Sequence, residues 1–286
     1  MANTVNADLV YEILNDEEVT TLGTLSAPWL DFSYKVDLEA KAPGAQINVP
    51  VVSAGATVQE NASNFESGDS TIGDANVHAA QQTASFHVTQ AQVNDGIQLR
   101  WLLKKNMQNL QNALVDKVFA VVTNANFGAD VVNVASTSFG TDDLVDIWAA
   151  CKNFPRKNLW LDGAYVAELL PTTRESFALS AMGFQGAYGF DSIKVHNRWD
   201  GTSSIKGFCA SDSAIAVGTA FPKVDELVTG LSAIQSTNVM LEQINLPVQF
   251  NLWVNTAGRV AWASLDCMIG AAAADTNAGK VIGDST

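Results

Sequence analysis

Several signatures that would assign this chain to an enzyme or a membrane protein are missing from its sequence. No apolar run reaches about 18 residues, so no transmembrane helix is predicted. The first residues contain no basic start followed by an apolar stretch, so no secretory signal is predicted. The Gly-x-Ser-x-Gly nucleophile elbow and the Gly-x-x-x-x-Gly-Lys-Ser/Thr phosphate loop are also absent.

Cysteine is scarce, and its distribution argues against a covalent or metal-bound framework. Three cysteines occur, Cys151, Cys209 and Cys267, and they are far apart in the sequence. An odd number of widely spaced thiols indicates a reducing compartment and buried cysteines rather than disulfides or a zinc site.

Basic residues are also few, and they are unevenly placed. The chain has 16 lysines and arginines against 30 aspartates and glutamates, a net charge of −14. Before Arg100 there are thirteen acidic and two basic residues, whereas the remainder is nearly balanced. This pattern argues against tight nucleic-acid binding, which requires clustered Lys and Arg. It predicts either a solvated acidic surface or a segment that reaches onto another molecule.

The chain does contain enough apolar sequence for a substantial core, and one long helix stands out. Its 286 residues, 47% of them hydrophobic, allow one large or two modest domains. Residues 94–124 predict a single helix because apolar residues recur at spacings of three and four. That stripe consists of Leu99, Leu103, Met107, Leu110, Leu114, Val118 and Val121. Asn94 or Asp95 is the predicted cap, and residues 124–128 supply the stop.

The segments before this helix predict a partly irregular, extended region. The predicted elements are a short helix at 7–18, an edge strand at 46–52 and a strand at 83–93. Residues 20–37 carry Trp29 and Phe32 without clear periodicity, and these aromatics need a partner surface in this chain or in a neighbouring copy. Residues 53–80 are disordered, a lid, or an extended hairpin that packs on another subunit.

The segments after the helix alternate helices and strands, which predicts a mixed α+β or α/β body. The predicted helices are 142–153 and 163–170, and the predicted strands are 131–134, 157–162, 192–197, 214–217 and 259–265. Ser138 or Thr141 is the expected cap of the helix at 142–153, and Trp148 is assigned to its apolar side. Residues 236–255 predict one extended stretch, and the tail from Gly270 is predicted to fray.

The residues with catalytic or metal-binding side chains each have a structural explanation. The histidines are His78, His87 and His196. None has a partner at a metal-ligand spacing, and strand or surface positions are predicted for them. Asp142, Asp143 and Asp146 crowd a helix start, where capping explains them better than a metal site. The glycine-rich segment 183–189 has the wrong spacing for a dinucleotide fingerprint. We therefore expect no catalytic residue, cofactor or metal.

Four residues at the front of the long helix predict a docking surface. They are Arg100, Trp101, Lys104 and Lys105. Glu60, Glu66 and Asp69 in the preceding loop supply acidic groups of opposite sign. A contact between copies of the chain is one hypothesis, and a solvated basic helix face is the alternative.

The order of these segments resembles the major capsid proteins of tailed bacteriophages, which have the α+β fold of the Hong Kong 97 phage shell. Residues 44–50, Gly-Ala-Gln-Ile-Asn-Val-Pro, are similar to the entry of that family's extended E-loop, and residues 95–124 are similar to its spine helix. The resemblance implies an N-terminal arm at 1–41, an E-loop at 42–82, a peripheral domain at 83–138 and 233–286, and an axial domain at 139–232.

The resemblance also implies a function and a set of partners. The chain would assemble with itself as pentamers and hexamers into an icosahedral shell around double-stranded DNA, without catalysis, sequence-specific DNA binding or a membrane. A scaffolding protein and a portal would assist assembly in the host cytoplasm, and a decoration protein can be added to the virion. Some relatives cross-link through an E-loop lysine, but no lysine lies between Lys41 and Lys104. We therefore predict a non-covalent shell.

Other classes of protein remain as alternatives. An encapsulin, a cellular compartment protein with the same fold, fits the short helix predicted at 7–18. An α/β hydrolase or transferase would need a pocket built from residues interpreted above as structural, beginning with His196. A tail or decoration protein of the virion rarely needs a helix of this length.

Overall fold

The structure is a computed structural model, and it describes residues 27–54, 71–88, 96–169, 189–199, 204–223, 235–255 and 260–285. This part of the chain contains two β-sheets, a separate two-stranded hairpin and helices. None of the helices within it is long and apolar enough to cross a membrane. The predicted short helix at 7–18, the loop acids Glu60, Glu66 and Asp69, and residues 183–188 lie outside the described residues.

The α-helices are α1 (Gly96–Phe119), α2 (Asn124–Phe127), α3 (Thr141–Ala150) and α4 (Gly163–Leu169). The strands are β1 (Ser33–Lys41), β2 (Gln46–Ala54), β3 (Thr71–His78), β4 (Ala80–Val88), β5 (Val132–Asn133), β6 (Asn158–Leu161), β7 (Ser192–Val195), β8 (Ile205–Ala210), β9 (Ile215–Pro222), β10 (Gln235–Leu241), β11 (Leu246–Asn255), β12 (Val260–Ala273) and β13 (Gly279–Gly283).

The six-stranded sheet is organised by β12, which has fourteen residues. On one edge β12 pairs antiparallel with β4, so that Asp266 lies opposite Thr83. On its other edge β12 pairs first with β11 and then with β9, placing Gln249 opposite Asp266 and Ala220 opposite Met268. β10 adds to β11, and β1 adds parallel to β9. A single strand therefore holds both halves of the sheet together.

The helix α1 lies across one face of this sheet and confirms the predicted long helix with its buried stripe. Leu103 and Leu114 are fully buried, in a core that also contains Leu265 of β12. At 24 residues, α1 is about 36 Å long. It ends at Phe119, earlier than predicted, because Thr123 adopts an extended backbone and its hydroxyl caps the separate helix α2. The predicted caps at residues 94 and 95 lie outside the described residues.

The five-stranded sheet has the order β5-β13-β8-β6-β7 and is packed on both faces. Leu159 and Leu161 face α3 and α4 in one apolar cluster. Trp160, between them, points to the opposite face, where its ring lies 5.2 Å from that of Phe119. The two sheets exchange strands across the expected domain boundaries. β9 belongs to the expected axial domain but joins the six-stranded sheet, whereas β13 belongs to the expected peripheral domain but joins the five-stranded sheet.

Residues 53–80 were predicted to be disordered, a lid or an extended hairpin. For the part of this segment that the structure describes, the hairpin β2–β3 shows which alternative is correct. The strands pair antiparallel from Gln46 and His78 outwards, which shows an extended hairpin at its base. Ile47 and Val77 are buried in an apolar cluster with Met268 of β12. Met268 and Leu265 are an odd number of residues apart in β12. Because successive side chains of a strand point to opposite faces of the sheet, these two lie on opposite faces, and the hairpin therefore covers the sheet face opposite α1.

Residues 27–41 belong to the body of the molecule and not to an irregular arm. Trp29 is fully buried and donates its indole N–H to the carbonyl oxygen of Ile244 at 2.9 Å, and Phe32 is 5% exposed. Both side chains therefore find their partner surface within this chain. Of the two alternatives for Trp29 and Phe32, the structure therefore supports a partner within this chain, since these side chains retain almost no surface for a neighbouring subunit. β1 then joins the six-stranded sheet as an edge strand.

Two predictions for the C-terminal part are wrong. The single extended stretch at 236–255 is instead two antiparallel strands, β10 and β11, separated by a turn in which Asn245 has a φ of 49°. The tail from Gly270 does not fray, because Gly270 pairs with Gly218 in the six-stranded sheet, and β13 is buried at Val281 and Ile282. A Cβ on Gly270 would clash with the backbone of His78, so the small residues here reflect close strand packing.

The start of α3 also differs from the prediction. Its N-cap is Gly140, and neither Ser138 nor Thr141 caps it. The carboxylate of Asp143 accepts a hydrogen bond from the Gly140 backbone N–H at 2.8 Å. This contact confirms the capping interpretation for Asp143, whose charge also complements the positive end of the helix dipole.

Candidate functional site

The predicted docking surface lies on the outer side of α1, one turn after its start. Trp101 is 65% exposed, the largest value for a tryptophan in the described residues. The Lys104 Nζ lies 5.6 Å from the centre of the Trp101 ring, within the range of a cation–π interaction. Arg100 and Lys105 are exposed on the same side. The structure thus brings these four residues into one basic, aromatic surface, which we call the α1 surface.

A second exposed apolar surface was missed by sequence reasoning, and it lies on α3. Val145 is 51% exposed and Trp148 is 39% exposed. The assignment of Trp148 to the buried side of this helix was therefore wrong. Leu144 and Ile147 fill the buried side, and Val145 and Trp148 lie just beyond its edge. The signal was available, because the helix has more apolar positions than one 100° stripe can bury.

A buried carboxylate in the six-stranded sheet was also missed. Asp266 is 2% exposed and accepts hydrogen bonds from the side chains of Gln81, Thr83, Asn251 and Ser264. The Asn251 Nδ2 lies 2.7 Å from an Asp266 oxygen. These donors compensate the loss of water around a buried charge and link β4, β12 and β11. All of them come from paired strands, so the network supports the sheet.

His196 lies at the end of β7 in an aromatic environment beside α1. Its ring stacks on Phe119 at 4.5 Å and meets Trp199 edge-on at 5.1 Å. Burial lowers the pKa of His196 from its usual 6.5 to about 4, and the nearby carboxylate of Asp116 opposes this shift only in part. His196 is therefore neutral near pH 7. Its Nε2 has no hydrogen-bond partner in the described structure.

A cleft of about 740 Å³ adjoins this aromatic group. It is lined by the aromatic side chains of Phe119 and Trp199 and by the ion pair between Asp116 and Arg198. Arg198 donates from Nε to one Asp116 oxygen at 2.8 Å and from a terminal nitrogen to the other, an arrangement that holds both groups in place. Among the residues described, the cleft brings no serine or cysteine nucleophile to His196.

The other histidines lie in separate places. His78 approaches the carbonyl oxygen of Gly44 in the hairpin, whereas the ring of His87 meets Trp262 on the six-stranded sheet. Within the described ranges, no three His, Cys, Asp or Glu side chains are arranged to hold a metal ion.

The fold was compared with known proteins and solved structures. No protein-family model and no curated protein matches the sequence. A virus-like particle from Pyrococcus furiosus has a TM-score of 0.53 and 12% identity, covering 96% of this chain and 99% of the other. The capsid of a native GTA particle has a TM-score of 0.52 and 12% identity, covering 92% and 91%. The chain has the Hong Kong 97-like capsid fold. A structure titled Mycobacterium phage Bobi, with a TM-score of 0.50 and 14% identity, covers 91% of both chains.

α1 is the long helix that the sequence comparison with the Hong Kong 97 fold assigned as the spine helix, and β2–β3 is the base of an extended hairpin. At 12–14% identity the similarity is carried by the arrangement of these elements and not by shared site residues.

Proposed function

We propose that this chain is the major capsid protein of a tailed phage, assembling with itself as pentamers and hexamers into an icosahedral shell around double-stranded DNA. The observation that carries the proposal is the extent of the likeness. Three similar structures, one of a capsid, one of a phage and one of a virus-like particle, share the fold over 91–99% of both chains. The protein acts as a structural subunit, located in the virion after assembly in the host cytoplasm.

Assembly of the purified chain tests this proposal. The protein is expressed with and without a coexpressed scaffolding protein, and its mass and shape are measured by light scattering and negative-stain electron microscopy. We expect closed shells, or pentamers and hexamers that convert to shells. A compact monomer or dimer that does not respond to scaffold would contradict the proposal and return attention to the cleft beside His196.

An encapsulin-type cellular compartment is the second candidate, because it has the same fold and one of the similar structures is a virus-like particle from Pyrococcus furiosus. The two functions differ in content. Shells purified from the native source contain double-stranded DNA if the protein is a phage capsid subunit, and a cargo protein without DNA if it forms a cellular compartment. The net charge of −14 is compatible with a shell around DNA, because counterions neutralise the DNA phosphates and the shell protein makes no sequence-specific contacts with the DNA.

The division of the chain follows the capsid fold in our proposal. Residues 42–82 form the E-loop, residues 83–138 and 233–286 the peripheral domain, and residues 139–232 the axial domain, with the exchange of β9 and β13 described above. A scaffolding protein and a portal act during assembly, and a decoration protein can bind the finished shell. No catalysis, cofactor or membrane contributes to this function.

We further propose that the shell is held together without covalent bonds between subunits. The segment between Lys41 and Lys104 contains no lysine, so an E-loop amine cannot attack a neighbour's side chain. Assembled shells boiled in detergent should therefore give a single band at the mass of one chain, 30.4 kDa, on a denaturing gel. A ladder of multimers that survives boiling would contradict this prediction.

The α1 surface supports a specific contact between copies. Its positive groups, Arg100, Lys104 and Lys105, are opposite in sign to the acidic E-loop, in which Glu60, Glu66 and Asp69 are the proposed partners. The exposed ring of Trp101 would lose water on contact, and aromatic anchors of this kind carry much of an interface's binding energy. We propose that the E-loop of one subunit covers the α1 surface of another.

Charge reversal tests this contact. Lys104→Glu together with Lys105→Glu should slow or prevent assembly, because like charges then face each other. The matched control is Lys117→Glu, an exposed lysine on the same helix. Unchanged assembly of the double variant, or equal loss in the control, would contradict the contact while leaving the capsid function intact.

A further inference from the structure

The exposed side of α3 carries an apolar patch beside its acidic residues, where a surface helix ordinarily carries polar side chains throughout. Val145 and Trp148 are 51% and 39% exposed, and Ala149 and Ala150 are exposed beside them. The buried stripe of Leu144, Ile147 and Cys151 already attaches the helix to the five-stranded sheet. Val145 and Ala149 are therefore not needed to hold α3 in place, and exposed apolar side chains grouped in this way favour an interaction site.

Charges of opposite sign flank this apolar face. Asp142 and Asp146 are exposed at its first turns, and Lys152 and Arg156 are exposed in the loop after its end. From Asp142 to Ala150 the helix rises about 12 Å, so the acidic and basic ends are well separated. The Lys157 Nζ lies 5.8 Å from the centre of the Trp148 ring and extends the positive end onto the apolar patch.

We propose that this face, which we call the α3 surface, binds a second copy of the chain, with the acidic end of one copy against the basic end of the next. The inference rests on the proposed assembly into pentamers and hexamers, in which every subunit contacts two neighbours through two different surfaces. An acidic and a basic end on one helix suit such head-to-tail contacts, and the apolar side chains between them are buried against one of the two neighbours.

Paired charge reversals test the proposal in the full-length chain. One variant carries Asp142→Lys and Asp146→Lys, and a second carries Lys152→Glu and Arg156→Glu. Each should assemble about tenfold less than the unmodified chain, as expected for a loss near 1.4 kcal/mol per contact. Combining all four changes in one chain should restore assembly. Glu168→Lys, at an exposed position of α4, is the control.

The outcomes separate this inference from the capsid function. Circular dichroism and thermal unfolding of the unassembled chains establish first that every variant is folded. If the unmodified chain assembles and both reversed variants assemble equally well, the α3 contact is overturned and the capsid function stands. If each reversal blocks assembly but the combined variant remains blocked, pairing of opposite ends is overturned. If the unmodified chain forms no shell, the proposed function itself fails.

Discussion

The two amphipathic helices α1 and α3 bury their inner faces alike but differ in their outer faces. On α1, Leu103 and Leu114 are fully buried, and on α3 Leu144 and Ile147 are fully buried. The outer side of α1 is mostly polar, with Gln108 and Lys117 among its exposed residues and Trp101 as the exception, whereas that of α3 carries Val145, Trp148 and two alanines beside Asp142 and Asp146.

This difference shows which parts of each helix serve the fold and which remain for other contacts. Inner residues determine the stability of the chain, because removing them leaves cavities in a packed core. Outer residues contribute little to stability, so the exposed Trp101 and Val145 are free to serve the contacts proposed above without weakening the fold. The predictions below test this division.

The largest effect is expected in the core beneath α1. Leu114→Ala should lower the free energy of unfolding by about 3 kcal/mol, because the side chain is fully buried and the cavity can relax only in part. Val145→Ala on the outer face of α3 is the matched comparison and should change it by less than about 0.5 kcal/mol. Urea unfolding of the unassembled chains measures both values. Similar losses in the two variants would remove the distinction between inner and outer faces.

An effect of similar size is expected from pH at the end of α1. Because burial lowers the pKa of His196 from 6.5 to about 4, the unfolded chain binds a proton that the folded chain does not bind in this range. Stability is therefore fully present above pH 6.5 and decreases by about 3 kcal/mol as the pH falls to 4. Carboxylates also titrate there, so the relevant quantity is the difference between the unmodified chain and His196→Phe.

Urea unfolding at pH 7 and pH 4.5 measures this difference. The unmodified chain should lose more stability between the two pH values than His196→Phe does, whereas His87→Phe, at an exposed histidine, should behave like the unmodified chain. Equal losses in all three proteins would show that His196 is not a source of acid sensitivity.

A smaller effect is expected beside the α3 surface. Gly189 has a φ of 71°, and a Cβ there would lie 2.8 Å from the Trp148 Nε1. Gly189→Ala should therefore cost about 1–2 kcal/mol and displace the exposed indole. Gly73→Ala, at a position with open space and ordinary backbone, is the control.

Tryptophan fluorescence and unfolding curves measure the effect of the Gly189 variant. The spectral change should vanish when Gly189→Ala is made together with Trp148→Phe, because the ring that moves is then absent. An unchanged spectrum in the single variant would show that Trp148 does not depend on Gly189 for its position.

Local sequence patterns correctly predicted those helices and strands in which the spacing of apolar residues agrees with the residues that mark where the element begins and ends. The stripe that contains Leu103 and Leu114 predicted α1, and the strand predicted at 259–265 lies almost wholly within β12. The α1 surface followed from residues that are neighbours on one helix turn. Trp29 shows where such reasoning stops, since an aromatic in an irregular segment can be core or surface, and its partner Ile244 is more than 200 residues away.

The sequence by itself determined the long helix, the mixed α+β composition, the acidic first third and the absence of a lysine between Lys41 and Lys104, because these depend on composition and on contacts between near neighbours. Only the tertiary structure decided that the small residues from Gly270 onwards form paired strands, that Asp266 is buried among four donors, and that Trp148 faces outwards. Each of these depends on strands or helices that are distant in the chain, and no local period encodes which distant segment will cover a given side chain.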